Sequence, residues 1–244
     1  MKGGFCFSQK LRYDQDMDHY IKIYTQQADI YHRMITAEDV DGNLLRALEA
    51  VTPLEGKRVL DLGSGTGRIP LLLYPIVDQV IGLDLHWGML CEQQKQQDHL
   101  NQSWGLLQGD LRELPFPENW FDVATAGWAI GHFQGWFAST WQSQVDRAIR
   151  EMIRVLRPNG ILIIIETLTT GSTTPAPPTQ GLAKYYAWLE NQWGFSRQPV
   201  QTDYQFQDLE EAVELTSFFF GTELAQKVRQ NNWVRLPEWT GILF

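Results

Sequence analysis

The most constraining feature of this chain is a series of short apolar runs, most of them followed by a segment of helical period. The runs are Arg58 to Leu62 (RVLDL), Gln79 to Leu85 (QVIGLDL), Trp104 to Gln108 (WGLLQ), Phe121 to Ala126 (FDVATA) and Ile161 to Glu166 (ILIIIE). Several are apolar on both faces, which is the pattern of parallel strands covered by helices on each side. Strands alternating with helices in this way predict an α/β, doubly wound sheet. The chain has 244 residues, which suits one domain, and a hydrophobic share of 43% is ample for its core.

The clearest helix spans Gln142 to Leu156. Val145, Ala148, Ile149, Met152, Ile153 and Leu156 form one apolar stripe along it at helical spacing. Arg154 and Arg157 complement the dipole at its end, and Pro158-Asn159-Gly160 stops it and turns the chain into the Ile-rich run. Further helices are expected over Leu182 to Trp193, over Leu209 to Phe219, and through most of residues 14–50. The Thr169 to Gly181 stretch is a Pro/Thr/Gly connector. The tail from Asn232 to Phe244 has strand character and could pair antiparallel near Gln198 to Tyr204.

Composition narrows the function. Twenty basic against 29 acidic side chains give a net charge of −9, which argues against a nucleic-acid partner. No stretch approaches the 18 or so apolar residues of a membrane span, and the first residues lack the apolar core of a secretory leader. Cys6 and Cys91 make no disulfide framework, so a reducing, cytoplasmic setting is expected.

Directly after the first run stands Asp61-Leu62-Gly63-Ser64-Gly65-Thr66-Gly67-Arg68. Glycines here allow a sharp turn and let a ligand approach main-chain N–H groups. The nicotinamide fingerprint G-x-G-x-x-G would need glycine at position 68, where Arg68 stands, and the Gly-Lys-Ser/Thr of a phosphate-binding Walker loop is absent. Asp84 ends the second run, near the spacing of about 20 residues at which an acid meets a ribose diol. Asp110 follows the third run directly. Three acids at the carboxyl ends of successive strands converge on the sheet edge where ligands bind.

The ordered segments VLDLGSGTGR, GLDL, GDLRELPFPENWFDVATAGWAIGHF and REMIRVLRPNGILIIIE resemble the motifs of class I S-adenosylmethionine-dependent methyltransferases, especially the small-molecule type 11 group. The resemblance covers roughly residues 55–168 and implies a seven-stranded Rossmann-like sheet with its last strand antiparallel. It implies one domain, in which residues 1–54 form a helical cap, 55–168 the cofactor-binding core, and 169–244 the substrate-side helices and last two strands. The cofactor implied is S-adenosylmethionine. Asp61 would orient the glycine loop and reach the methionine amino group. Gly63 and Gly65 would pass under the methionine moiety, with Ser64 in the same cofactor-binding loop. Asp84 would accept from both ribose hydroxyls, with Leu85 against the adenine. Asp110 would accept from the adenine amine, Leu111 would offer its backbone N–H to the ring, and the Gly127 carbonyl would hold the ammonium. Tyr31 matches a tyrosine that closes over the cofactor in this family.

Ala126-Gly127-Trp128-Ala129 replaces the Asp/Asn-Pro-Pro-Tyr/Phe motif of nucleic-acid amine methyltransferases, and neither cysteine is placed to serve as a C5 nucleophile. Metal-assisted transfer would need clustered acids at the ends of the fourth and fifth runs, where only Glu166 is near, so metal-independent transfer to a small acceptor, or to a protein side chain, is expected. His132 is the candidate general base, with His32 and His86 as further cleft candidates. Glu166 either helps bind the acceptor or caps the next turn. Aromatic residues make up 12% of the chain. Trp104, Trp120 and much of Phe218 to Phe220 are expected in the core. Trp128, Phe133, Trp136 and Phe137 crowd the segment after the fourth run, and Tyr185, Tyr186 and Trp188 lie beyond the connector. Together these rings predict an acceptor pocket, with Trp128, Phe133, Trp136 and Tyr185 in its walls, suited to an apolar or aromatic small molecule. The alternative is a non-catalytic S-adenosylmethionine-binding regulatory module.

Overall fold

The computed structural model describes residues 15–244, with side chains from His19 onward. Cys6 and the opening residues lie outside that range. Three helices come first: α1 (Gln15–Gln26), α2 (Ala28–Thr36) and α3 (Asn43–Val51). Strand β1 (Arg58–Leu62) runs into the glycine loop, and α4 (Arg68–Leu73) follows it. Next come β2 (Gln79–Asp84), α5 (Trp87–Leu100), β3 (Gly105–Gln108) and β4 (Phe121–Gly127). A 3-10 turn (Ile130–His132) leads into the single-turn α6 (Phe133–Trp136) and then α7 (Trp141–Val155). The chain continues through β5 (Leu156–Thr170), α8 (Gln180–Trp188), a π turn (Leu189–Trp193), β6 (Arg197–Gln201) and β7 (Tyr204–Gln205). It ends with α9 (Leu209–Phe220), α10 (Thr222–Asn231), β8 (Arg235–Leu236) and β9 (Glu238–Leu243).

Seven strands form one sheet in the order β3-β2-β1-β4-β5-β9-β6. β9 is antiparallel to both its neighbours, and the other pairs are parallel. Period-two alternation sorts the strand residues into two cores. Leu60, Ala124 and Ile164 pack on the face covered by α7 and α8, while Val59, Val123 and Ile163 pack on the face covered by α3 and α4. Each of the Leu, Ile and Val side chains contributes about 1.5–3 kcal/mol relative to exposure. The doubly wound architecture and the antiparallel last strand are as the sequence implied.

Local boundaries differ in places. β5 is longer than its Ile-rich run: Leu156 already pairs with Phe121, and the register shifts before Ile161 pairs with Val123. Asn159, in the intervening segment, adopts a left-handed conformation with φ 66°. The helix expected to reach Trp193 is α-helical only to Trp188, where the π turn takes over. Trp120 is a correction to the expected core: it is 43% exposed, because it precedes the first buried residue of β4, and the Arg58 guanidinium lies 5.4 Å from its ring centroid. Trp104 is buried as expected, while Phe218 to Phe220 are only partly buried. Among the described residues no helix is long and apolar enough to cross a membrane.

The first two helices and α9 form a cap over the carboxyl end of the sheet. Ile23, Tyr24 and Ala28 cluster with Met89 of α5, and Tyr20, Tyr31 and Phe219 pack against them. An ion pair holds the cap to the core: Arg68, at the start of α4, meets Glu38 just past α2 at 2.5 Å. Both side chains are largely buried, so losing either partner would leave the other charge uncompensated.

Candidate active site

The chain leaves β1 toward β2 on one side and returns to β4 on the other, so a crevice opens between the ends of β1 and β4. Asp61 and Thr125 are register partners across this switch point, and the Thr125 hydroxyl donates to Asp61 Oδ1 at 2.6 Å. Burial pushes the Asp61 carboxyl up to about 7, against the Thr125 bond, which favours its ionised form. The glycine loop turns over this pair. Gly63, Gly65 and Gly67 all have positive φ, and a Cβ at Gly63 would lie 2.4 Å from that of Ala129. Only glycine gives both the conformation and the close approach.

Asp84, at the end of β2, is 6% exposed. Its Oδ2 accepts from Gly65 N at 2.8 Å and its Oδ1 from His86 N at 2.7 Å. A carboxylate offers about four acceptor positions, so one remains on each oxygen. That donor-ready pair fits a vicinal diol. Burial raises the Asp84 carboxyl above its usual range, against the backbone N–H groups of His86, Gly65 and Leu85 and the nearby His86 ring. Asp110, after β3, accepts on Oδ1 from Arg112 N and Nε, and on Oδ2 from Arg112 Nη2 at 2.6 Å and, more weakly, from the same Nε at 3.1 Å. Burial alone would raise its carboxyl, but the Arg112 bonds outweigh burial and hold it below the usual range. The longest of these contacts, Nε to Oδ2, is the one a single amino donor would replace.

Between these acids lies a cleft of about 760 Å³, open mouth included. Leu83, Leu85, Met89 and Leu111 give it an apolar floor, and Tyr24 and Tyr31 hang into it from the cap. Its far wall is aromatic. His132 stacks on Trp136 with centroids 5.0 Å apart and planes 12° from parallel, and its Nε2 lies 3.0 Å from the Tyr24 hydroxyl. Burial, followed by the nearby His86, pushes His132 down to about 4, so the ring is neutral at pH 7 and a weaker base than an ordinary imidazole. Trp128 completes the wall in a left-handed conformation (φ 51°), with Arg68 stacked 4.0 Å from its ring centroid. A bulky residue held there costs on the order of 1–3 kcal/mol, which its surroundings must offset.

Residues 60–164 match the family described as the methyltransferase domain. Residues 60–164 are a class I S-adenosylmethionine-dependent methyltransferase domain. The chain is 30% identical over 145 residues to the malonyl-[acyl-carrier protein] O-methyltransferase of Legionella pneumophila, covering 58% of this chain and 47% of that protein. It is 28% identical over 193 residues to the demethylmenaquinone methyltransferase of Desulfitobacterium hafniense, covering 76% of this chain and 67% of that protein. The matched region thus spans about half the length of the first relative and about two thirds of the second. The crystal structure of the YcgJ protein from Bacillus subtilis shares the fold with a TM-score of 0.53 at 19% identity, over 82% of this chain and 95% of that one.

The methyltransferase domain and its cap bring most of the expected site residues to the cleft: Tyr31, Gly63, Gly65, Asp84, Leu85, Asp110, Leu111, Gly127, Trp128, His132, Phe133 and Trp136 all line it. Three do not line it. Asp61 lies beneath the glycine loop, held by Thr125. Ser64 turns away toward Gln93, in the space left by the missing side chain of Gly82. Gln93 satisfies its neighbours when its nitrogen faces Ser64 Oγ and its oxygen accepts from Trp104 Nε1 at 2.9 Å. Tyr185 is fully buried and bonds to Glu166 at 3.3 Å, behind the wall instead of in it. Glu166 accepts from Gly131 N at 2.7 Å, so it caps the turn that carries His132. Burial pushes that carboxyl up to about 8.

Sequence reasoning missed Tyr24 and Arg112. The spacing of Tyr24 and Tyr31 was visible, but not the break at Gln27 between α1 and α2 that accompanies their placement in one cleft. Asp110-x-Arg112 was equally visible as an acid and a base two residues apart in a turn. His86, one of the further cleft candidates, does line the cavity, with a buried Nε2 that has no partner. His32 instead bonds to Thr66 Oγ1 at 3.0 Å.

Proposed function

We propose that this chain transfers a methyl group from S-adenosylmethionine to a small acceptor with a flat, apolar body. The carrying observation is the run from an Asp84 carboxylate with one open acceptor position per oxygen to an aromatic wall ending at His132. Asp84 would hold the ribose diol, Asp110 the adenine amine, and the glycine loop with Gly127 and Asp61 the amino-acid tail. When bound, S-adenosylmethionine supplies an electrophilic methyl group on a sulfonium. The protein's share is then mainly orientation, potentially on the order of 7–11 kcal/mol of the barrier. Trp128, Phe133 and Trp136 would position the acceptor and exclude water. His132, neutral at pH 7, would take the acceptor's proton where one must leave.

In this reading residues 1–54 serve as the cap and 169–244 support the acceptor side. The apolar lining and the net charge of −9 favour a small molecule over a nucleic acid. The free thiol at Cys91 accords with a cytoplasmic setting. The test is incubation with methyl-labelled S-adenosylmethionine and a bacterial metabolite extract. Label should pass to a small molecule extractable into organic solvent. Binding of S-adenosylhomocysteine with no transfer to any extract component would favour the non-catalytic module instead.

A further inference from the structure

Arg112 joins Asp110 to the aromatic side of the cleft. Its fork grips Asp110, with Nε 2.9 Å from Oδ1 and Nη2 2.6 Å from Oδ2. Its remaining arm, Nη1, donates to Gln144 of α7 at 2.6 Å. Its guanidinium sits over the rings of Phe137 and Phe133, 4.9 and 5.5 Å from their centroids. Those rings flank Trp136 and the stacked His132, and Arg112, Phe133 and Phe137 all line the cleft. A planar guanidinium pre-organised by a bidentate carboxylate and aromatic contacts is a stiff connector, which a lysine could not reproduce.

The geometry points to Arg112 as a positioning residue that couples the cofactor's adenine end to the acceptor wall. An amino donor arriving at Asp110 Oδ2 takes the place of the 3.1 Å contact from Nε, which keeps its bond to Oδ1, and fixes that carboxylate. The carboxylate fixes the fork, and the fork fixes the α6 rings and the first turn of α7. The wall is therefore ordered by cofactor binding, and the acceptor binds second. By linkage, a bound acceptor tightens cofactor binding by the same factor. The coupling rests on the proposed cofactor site.

Hydrogen exchange with and without saturating S-adenosylhomocysteine tests it. In the wild type, the ligand should slow exchange in two places, the glycine loop at 63–67 and the segment 130–144, each at least threefold. In Arg112→Gln, loop protection at saturation should persist while protection of 130–144 is lost. Gln144→Leu cuts only the outer anchor, leaves Asp110 gripped, and should lose much of the same protection. It carries the test if Arg112→Gln fails to fold. Full protection of 130–144 in both variants, or none there in the wild type despite loop protection, overturns the coupling alone. No binding to the wild type overturns the cofactor site and the coupling together.

Discussion

The Tyr24 hydroxyl and His132 Nε2 lie 3.0 Å apart, joining cap helix α1 to the turn after β4 across the roof of the cleft. Burial pushes the His132 ring down to about 4 from an ordinary value of 6.5. The unfolded chain therefore binds a proton there that the native state refuses between those two values. Stability from this site is complete above 6.5 and is lost as pH falls toward 4, by an amount on the order of 2–3 kcal/mol. Chemical denaturation at pH 7 and pH 4.5 should show the wild type losing more stability than His132→Gln. Equal losses would mean the ring is not held neutral by burial.

Asp61 has the opposite sign. Its carboxyl is held up to about 7, and a ligand ammonium nearby favours the ionised form. Below 7 binding must expel a proton, so affinity for S-adenosylhomocysteine should fall roughly tenfold between pH 7.5 and 5.5. Asp61→Asn should bind more weakly at pH 7.5 and flatten that dependence. A variant that keeps the wild-type slope would place the titrating group elsewhere.

Two glycines separate loop strain from loop crowding. Gly63 and Gly194 both have positive φ, at 65° and 76°, but an added Cβ meets Ala129 at 2.4 Å in the first and nothing within 4 Å in the second. Gly194→Ala should cost only the left-handed backbone penalty, roughly 1–2 kcal/mol, with ligand binding intact. Gly63→Ala should cost clearly more and abolish binding of S-adenosylhomocysteine. Thermal melts and titration of the two variants side by side check this, and similar losses in both would deny the close packing of the loop on Ala129.

Much of the frame was legible because it depends on local periodicity. β1 matches its run residue for residue, and Asp84 ends its strand as the spacing implied. Side-chain direction was less legible. Asp61 and Ser64 belong to the right loop, but the neighbours that claim them, Thr125 and Gln93, lie on elements remote in sequence. Tyr185 was placed in the wall because its helix follows the connector, yet the buried carboxylate of Glu166 draws its hydroxyl inward. Trp120 looked like core because it is large and apolar, but a residue just before a strand end need not be covered. The cap was readable as helices and unreadable as a lid, since neither the Arg68–Glu38 pair nor the Tyr24–His132 bond has a local signature.

The central claim is that Asp84 receives the ribose of S-adenosylmethionine, and calorimetric titration of S-adenosylhomocysteine into wild type and Asp84→Asn tests it most directly. Asparagine keeps the shape but removes the charge and one of the two open acceptor positions. The wild type should bind, and the variant should bind at least tenfold more weakly while remaining folded. Unchanged affinity in a folded variant, or no binding by the wild type, would contradict the account.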